Sequence, residues 1–202
     1  MVDSANPAKD SSLSRALARI DQRLSHDLRA LRQARSLTLA QISERIGRSV
    51  GWLSQVERGI SMPTLTDLRR MADTLGVPLS LFDTRGIADE SESGTVVRSD
   101  QRRVIGSAVE GMVEELLSPS LGGSSQMRRR IVSPGARLAQ PARREVEESG
   151  YVVSGRLSLE VDGTLHTLET GDSFRFKGRP VAWENAGDED AVVIWVMSPP
   201  AY

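Results

Sequence analysis

The chain has 202 residues, of which 39% are hydrophobic and 26% charged, with a formal net charge of −1 and no cysteine. This composition is typical of a globular protein, and it excludes a disordered chain, disulfide bonds, thiol catalysis and cysteine metal sites. The longest apolar run, Ala191–Met197, is too short to cross a bilayer, and the polar N terminus shows no secretory signal. We therefore expect a cytoplasmic protein.

The charge is unevenly divided between the two halves of the chain. Residues 15–82 hold eleven arginines and six acidic residues, a balance of +5, whereas residues 83–202 hold fourteen basic and nineteen acidic residues, a balance of −5. This asymmetry predicts that only the first half binds a polyanion such as nucleic acid.

The sequence of the first half predicts a disordered tail over residues 1–13, followed by a helical DNA-binding domain over residues 14–82. The first helix has an apolar face formed by Ile20, Leu24, Leu28 and Leu31. Three further helices are bounded by capping residues and by glycines: Thr38 and Gly47, Ser49 and Gly59, Thr64 and Gly76. A short fifth helix is predicted over Leu79–Phe82.

The second and third of these helices, joined by a turn that contains Gly47, have the form of a helix-turn-helix motif. Only Leu53 and Val56 of the third helix are expected to be buried, so its other side faces outward. A glutamine on that side can read an adenine edge in the major groove, and flanking arginines can contact phosphates. The predicted DNA-binding residues are Arg48, Ser49, Val50, Gly51, Ser54, Gln55 and Arg58. Glu57 is expected to hold Arg58 or a backbone amide.

The run Leu53–Gly59 directly after the turn, together with Thr38–Ile42, Ile46–Ser49 and Leu75–Pro78, resembles the Cro/phage-repressor (XRE) helix-turn-helix family. The resemblance covers residues 18–82 and implies a transcription regulator that binds double-stranded operator DNA. The alternative is a five-helix bundle without a DNA-binding role.

The second half follows a linker predicted over residues 83–95 and has the alternating pattern of short β-strands, which favours an all-β sandwich or barrel over residues 96–202. Asp162-Gly163 between two such runs is typical of a tight hairpin. The predicted strands are Thr95–Arg98, Met112–Leu117, Gln126–Val132, Tyr151–Ser154, Arg156–Val161, Leu165–Leu168, Ser173–Phe176, Val181–Glu184 and Ala191–Met197.

This half resembles the small-barrel, jelly-roll cupin family on a series of residues in the family's order: Pro134-Gly135, Glu148, Tyr151–Gly155, Gly171–Ser173, Pro180 and Asn185. The resemblance implies that the metal-ligand positions of that family are occupied here by Ala142, Arg144, Glu148 and Val181. Only Glu148 can bind a metal, and the histidines His26 and His166 match none of these positions. We therefore expect no metal, no cofactor and no enzymatic activity.

The barrel keeps a concave interior in which we expect a small-molecule effector. Arg144 and Glu148 would replace the metal ligands, Val181 and Trp183 would form an apolar wall, and Arg128 and Arg130 share one strand face that points inward. Alternatively, Arg128–Arg130 is a solvated or dimer-interface stretch, and Arg144 and Glu148 form an ion pair at the barrel mouth. Core positions are predicted for Tyr151, Phe174 and Trp195.

Together these observations predict a two-domain α + β protein, a five-helix bundle followed by a cupin barrel, that acts as a ligand-responsive repressor without membrane association. Two subunits would pair through their barrels and bind half-sites about one DNA turn (~34 Å) apart. Two alternatives remain: a DNA-binding protein whose barrel serves only dimerisation, and a metal-dependent enzyme.

Overall fold

The computed structural model describes residues 22–82, 92, 94–107 and 109–201. The chain divides into two compact units between Ser91 and Glu92, inside the segment predicted as a linker. The predicted tail over residues 1–13, residues 83–91 of the linker and Ile20 of the first helix lie outside the described residues.

The first unit is helical. Helix α1 covers residues 22–34, α2 Leu39–Ile46, α3 Val50–Glu57 and α4 Leu65–Leu75. Its core consists of buried side chains on all four helices, among them Leu24, Leu28, Leu31, Ile42, Ile46, Leu53, Val56, Met71 and Leu75. None of the helices in the described residues is long and apolar enough to span a membrane.

The capping residues begin the helices where the sequence places them. Thr38 and Thr64 each form a capping box with the residue three positions later, and Ser49 accepts a hydrogen bond from the backbone N–H of Trp52 at 3.1 Å. Helix α3 ends at Glu57 with Arg58 as its C-cap, two residues before the expected glycine.

The fifth helix differs from the expectation. Leu79–Phe82 forms a 3-10 turn rather than an α-helix, and Leu81 donates its backbone N–H to Pro78 at 3.0 Å. A four-residue segment after a proline is too short for the i→i−4 ladder of an α-helix but long enough for i→i−3 bonds.

The second unit consists of two antiparallel sheets. The strands in chain order are β1 Arg103–Ile105, β2 Met112–Leu116, β3 Gln126–Val132, β4 Ala142–Arg143, β5 Glu147–Ser154, β6 Arg156–Val161, β7 Thr164–Glu169, β8 Ser173–Lys177, β9 Pro180–Glu184 and β10 Ala191–Ser198. One sheet has the order β1-β2-β3-β10-β5-β8 and the other β4-β9-β6-β7. Inward side chains of both sheets form a common core, among them Val152, Leu157, Leu159, Val193, Trp195 and Met197.

One strand prediction is wrong, and two short strands lie outside the predicted set. Residues 95–98 form no strand, and the first strand is Arg103–Ile105. The two-residue strand β4 was not predicted, because a segment so short shows no alternation. The hairpin at Asp162-Gly163 is confirmed, with φ values of 55° and 78° at the two turn residues.

Candidate nucleic-acid interface and interior of the second unit

Helix α3 presents one buried and one exposed side. Leu53 and Val56 are 2% and 0% exposed and hold the helix against the core. On the opposite side Val50 is 46% exposed, and a Cβ added to Gly51 would meet nothing within 4 Å. The structure therefore places the small and amide-bearing face of α3 in solvent, where a DNA groove has access to it.

The amide of Gln55 is oriented by a residue that the sequence reasoning missed. The hydroxyl of Ser61 donates to Gln55 Oε1 at 2.9 Å, and the backbone N–H of Ile60 donates to the backbone carbonyl of Gln55 at 2.9 Å. Because Oε1 is held by Ser61, the orientation of the side-chain amide is set, and Nε2 remains available as a donor. The only sequence signal for this role is a hydroxyl residue shortly after the glycine that follows α3.

Arg48 is held in place by two contacts. Its Nε and Nη2 atoms donate to the two carboxylate oxygens of Asp67 at 2.9 Å each, and its guanidinium lies 4.9 Å from the ring centroid of Trp52. The Asp67 side chain is 2% exposed, whereas that of Arg48 is 42% exposed. Hydrogen bonds from Arg48 and Thr64 stabilise the ionised carboxylate of Asp67, whereas burial destabilises it. The hydrogen bonds have the larger effect, so the pKa of Asp67 is lowered to about 2. Arg48 is thus a fixed, solvent-facing cation beside the start of α3.

Arg58 and Glu57 have different partners from those expected. Arg58 donates from Nε to the backbone carbonyl of Ser54 at 3.2 Å and is exposed. The carboxylate of Glu57 accepts from Arg32 on α1 at 2.6 and 2.9 Å, which raises the pKa of Arg32. The expectation that Glu57 holds Arg58 is wrong, since consecutive side chains on a helix do not face each other.

In the second unit, Arg128 and Arg130 point between the sheets, as the shared strand face predicts. They are 7% and 5% exposed, and both pair with Glu114 on the adjacent strand, at 3.3 and 2.6 Å. Burial acts to raise the pKa of Glu114, but the charges of Arg130 and Arg128 hold it below its ordinary value. Because Arg128 and Arg130 are buried, the alternative of a solvated arginine stretch can apply only to Arg129.

Glu148 lies beside this cluster and is 1% exposed. Its Oε2 atom accepts from the indole N–H of Trp195 at 2.8 Å, and the same ring lies 4.1 Å from the guanidinium of Arg130. Its Oε1 atom is 3.7 Å from Arg144 Nη1 and has no hydrogen-bond partner in the part of the chain that the structure describes. The alternative of an ion pair between Arg144 and Glu148 corresponds to this long contact, in which the Arg144 side chain is 41% exposed.

The amide of Gln126 is a second incompletely paired group in this interior. Its Oε1 atom accepts from Arg128 at 2.8 and 2.6 Å, whereas its buried Nε2 atom has no partner among the described residues. Gln126 and Glu148 both pair with Met197, from the two sides of β10. The unpaired donor of Gln126 and the unpaired acceptor of Glu148 therefore lie at matching positions on the two strands beside β10.

The interior does not fit a metal. Ala142 and Val181, which are paired between β4 and β9, have no ligand atom, and Arg144 is a cation. Within the described ranges, no group of three or more His, Cys, Asp or Glu residues could hold a metal ion. Val181 is 2% exposed and belongs to the hydrophobic core.

The predicted aromatic positions divide between core and surface. Trp183 is 6% exposed and packs in the core, and Trp195 lies edge-on to Phe174 with ring centroids 4.6 Å apart. Tyr151 is 48% exposed, so its predicted core position is wrong. It alternates with the buried Val152 on β5 and therefore faces the outside of the sheet.

A separate cavity of about 490 Å³ lies where β6 and β7 face β8. Apolar side chains of Leu159, Leu168, Phe174 and Phe176 line it, and His166 and Arg179 are among its polar residues. None of the six residues predicted to bind an effector contributes to it.

Comparison with known proteins gives matches to both units. The chain matches the helix-turn-helix domain family over residues 23–84 and the cupin domain family over residues 128–197. The HTH-type transcriptional regulator SutR of Escherichia coli (strain K12) is 31% identical over 153 residues, which cover 76% of this chain and 81% of that protein.

Two solved structures are also similar. The cupin domain of an XRE family transcriptional regulator from Enterobacter cloacae is 27% identical and covers 46% of this chain and 100% of its own, with a TM-score of 0.41. Hydroxypropylphosphonic acid epoxidase from S. wedmorenis is 19% identical and covers 87% of this chain and 97% of its own, with a TM-score of 0.44.

Proposed function

The chain belongs to the HTH-type transcriptional regulators, with a helix-turn-helix domain followed by a cupin domain, and from this we propose that it reads operator DNA with α3. We propose further that it acts as a homodimeric repressor, and that its cupin domain binds a small-molecule effector and has no catalytic role.

The exposed face of α3 is the observation that carries this proposal. Val50, Gly51 and Gln55 form a surface without bulky side chains, so base edges in the major groove can approach it closely. Arg48 and Arg58 lie at the two ends of the helix, where cations contact phosphates and set the register of the protein on DNA. Because Asp67 already orders the Arg48 side chain, its contact with a phosphate costs less conformational entropy.

We expect a dimer because the DNA-contacting surface of one subunit is small. A single eight-residue helix contacts only a few base pairs, and proteins with this motif gain specificity by presenting two helices to half-sites about 34 Å apart. The barrel is the part of the chain available for this pairing and for the effector.

The unpaired atoms in the barrel support an effector with both donor and acceptor groups. Glu148 Oε1 would accept a hydrogen bond from it, and Gln126 Nε2 would donate one. Buried polar atoms without partners cost roughly 1–3 kcal/mol each, so a ligand that satisfies both would stabilise the cupin unit. The lack of ligand atoms at Ala142 and Val181 supports a binding role rather than metal catalysis.

The first test measures DNA binding by fluorescence anisotropy. Fragments from upstream of the protein's own gene are titrated with wild type, Gln55→Ala and the matched control Gln33→Ala, an exposed glutamine on α1. We expect Gln55→Ala to bind roughly 5- to 100-fold more weakly, the value of one bidentate base contact, and the control to equal wild type. Equal losses in both variants, or no preference of wild type over random DNA, would refute the assignment of α3.

The effector is tested by thermal shift against a metabolite panel, with Glu148→Gln as the comparison. A compound that stabilises wild type more than this variant and releases operator DNA supports the proposal. If no compound stabilises the protein, the barrel serves dimerisation alone; metal found in the purified protein together with turnover would favour an enzyme.

A further inference from the structure

Strand β7 is an exposed sheet edge. The four-stranded sheet ends in β4 and β7, and the six-stranded sheet ends in β1 and β8. β7 pairs only with β6, and nearly all of its residues are exposed, with Leu165 66% exposed. An exposed edge presents backbone N–H and C=O groups that are able to pair with another strand.

The other three edges carry features that discourage such pairing. β1 has three residues and β4 has two, and β8 has the cations Arg175 and Lys177 on its exposed side. β7 has six residues, with no Asp, Glu, Lys or Arg before Glu169 and no proline. Very short strands and charges are the usual protections of sheet edges, so β7 is the unprotected one among the described strands.

The free backbone groups of β7 can be assigned to particular residues. The β6–β7 hairpin closes on Val161 and Thr164 around a two-residue turn, which makes them a hydrogen-bonded pair. Such pairs alternate along an antiparallel ladder, so the backbone groups of Leu165, Thr167 and Glu169 point away from β6.

Of these three residues, Glu169 is already paired. Its N–H donates to the Asp172 carboxylate at 2.8 Å, and its carbonyl accepts from the Asp172 N–H at 2.9 Å. The groups that remain without a strand partner in the described structure belong to Leu165 and Thr167.

We propose that β7 pairs antiparallel with β7 of a second copy of this chain, with Leu165 of each copy opposite Thr167 of the other. The proposal rests on the homodimer of the proposed function and assigns it a surface. In this register each N–H of Leu165 and Thr167 donates to the opposite carbonyl, so the pairing uses every free group of both edges.

The register has a geometric consequence. A two-fold axis perpendicular to the sheet passes by His166, and the two copies of that residue become direct neighbours on the face of β7 that lines the cavity. On the outer face the two copies of Leu165 lie diagonally across the axis. Each lies beside a groove of about 440 Å³ that Leu138 and Ala182 also line.

A second copy fits this edge because the edge is self-complementary. An isologous pair needs a surface that meets its own image without like charges, and Thr164 to Leu168 contain no Asp, Glu, Lys or Arg. The same operation on β8 would bring the cations of two copies together.

The test places charges at His166, which is exposed in the single chain. His166→Lys and His166→Glu are compared with wild type by sedimentation equilibrium on the full chain. Each variant alone should dimerise roughly fivefold or more weakly, because like charges directly opposite in an antiparallel pair repel. An equimolar mixture of the two should form a heterodimer with at least wild-type affinity. Ser173→Lys on β8 is the control and should match wild type.

A second variant tests the backbone pairing itself. Thr167→Pro removes a donor that points away from β6, so the β6–β7 ladder stays intact. It should weaken dimerisation by roughly tenfold or more. Wild-type dimers that none of these variants weakens would overturn the β7 assignment while leaving the homodimer in place; a wild type that stays monomeric on operator DNA would overturn both.

Discussion

Asp67 joins Arg48, beside the start of α3, to Thr64, the N-cap of α4, and its replacement by alanine tests how much this link stabilises the helical unit. The substitution removes both hydrogen bonds to Arg48 and the bond from the Thr64 backbone N–H at 3.1 Å. Since Arg48 is 42% exposed, water replaces its lost partner, and the cost is that of a single charged hydrogen bond, about 1.5–3 kcal/mol. The lost half of the capping box adds about 0.5–1 kcal/mol.

Scanning calorimetry of the full chain should resolve this effect. The unfolding transition of the helical unit is expected to fall by about 10 °C or more, because roughly 1 kcal/mol shifts a domain of this size by 4–8 °C. The transition of the cupin unit should not move. Asp73→Ala, an exposed aspartate on the same helix, is the matched control and should leave both transitions unchanged.

The same pair predicts a pH dependence. Arg48 lowers the pKa of Asp67 to about 2 in the folded protein, below the unfolded value of about 3.9. The ionised carboxylate therefore contributes stability above about pH 4, and that contribution is lost as the pH falls toward 2. The difference between wild type and Asp67→Ala should shrink over this window. A difference that persists at pH 2, or an Asp67→Ala transition equal to that of the control, would refute the reasoning.

Three further substitutions test the hydrogen bonds and packing. Ser61→Ala should reduce discrimination at the base pair that we propose Gln55 reads by about 2- to 10-fold, measured by competition between operator variants, with the salt dependence unchanged and with rescue by Ser61→Thr. Glu114→Gln should destabilise the cupin unit by about 3–5 kcal/mol in denaturant unfolding, because it removes the carboxylate that pairs with two buried arginines; a loss below about 1 kcal/mol would contradict this. Gly150→Ala should cost about 1–3 kcal/mol, since its Cβ would overlap the ring of Phe174, and the calorimetric transition of the helical unit should not change.

The sequence by itself determines those structural features of this protein that depend on interactions between residues close together in the chain. The starts of α2, α3 and α4 depend on hydrogen bonds that span three residues, so Thr38, Ser49 and Thr64 predict them directly. The Asp162-Gly163 hairpin likewise depends on the conformation of two residues. The exposed face of α3 follows from helical periodicity, and with it the placement of Val50, Gly51 and Gln55.

The partners of charged side chains required the tertiary structure. Glu57 pairs with Arg32, which is 25 residues away, and Arg48 with Asp67, 19 residues away. A sequence pattern shows that such groups are available, but the packing of α1 against α3 and of α4 beside the turn decides which of them meet.

The cupin unit shows the same division. The alternation of β3 places Arg128 and Arg130 on one face, but only the β2–β3 register places Glu114 opposite Arg130 and within reach of Arg128. Similarly, the sequence predicts β7 as a strand, but whether a strand is central or at an edge depends on the order of the sheet, which joins segments far apart in the chain. Local hydrogen bonds and periodicity thus specify elements and faces, whereas long-range packing specifies which buried charges are paired and which backbone edge is left free.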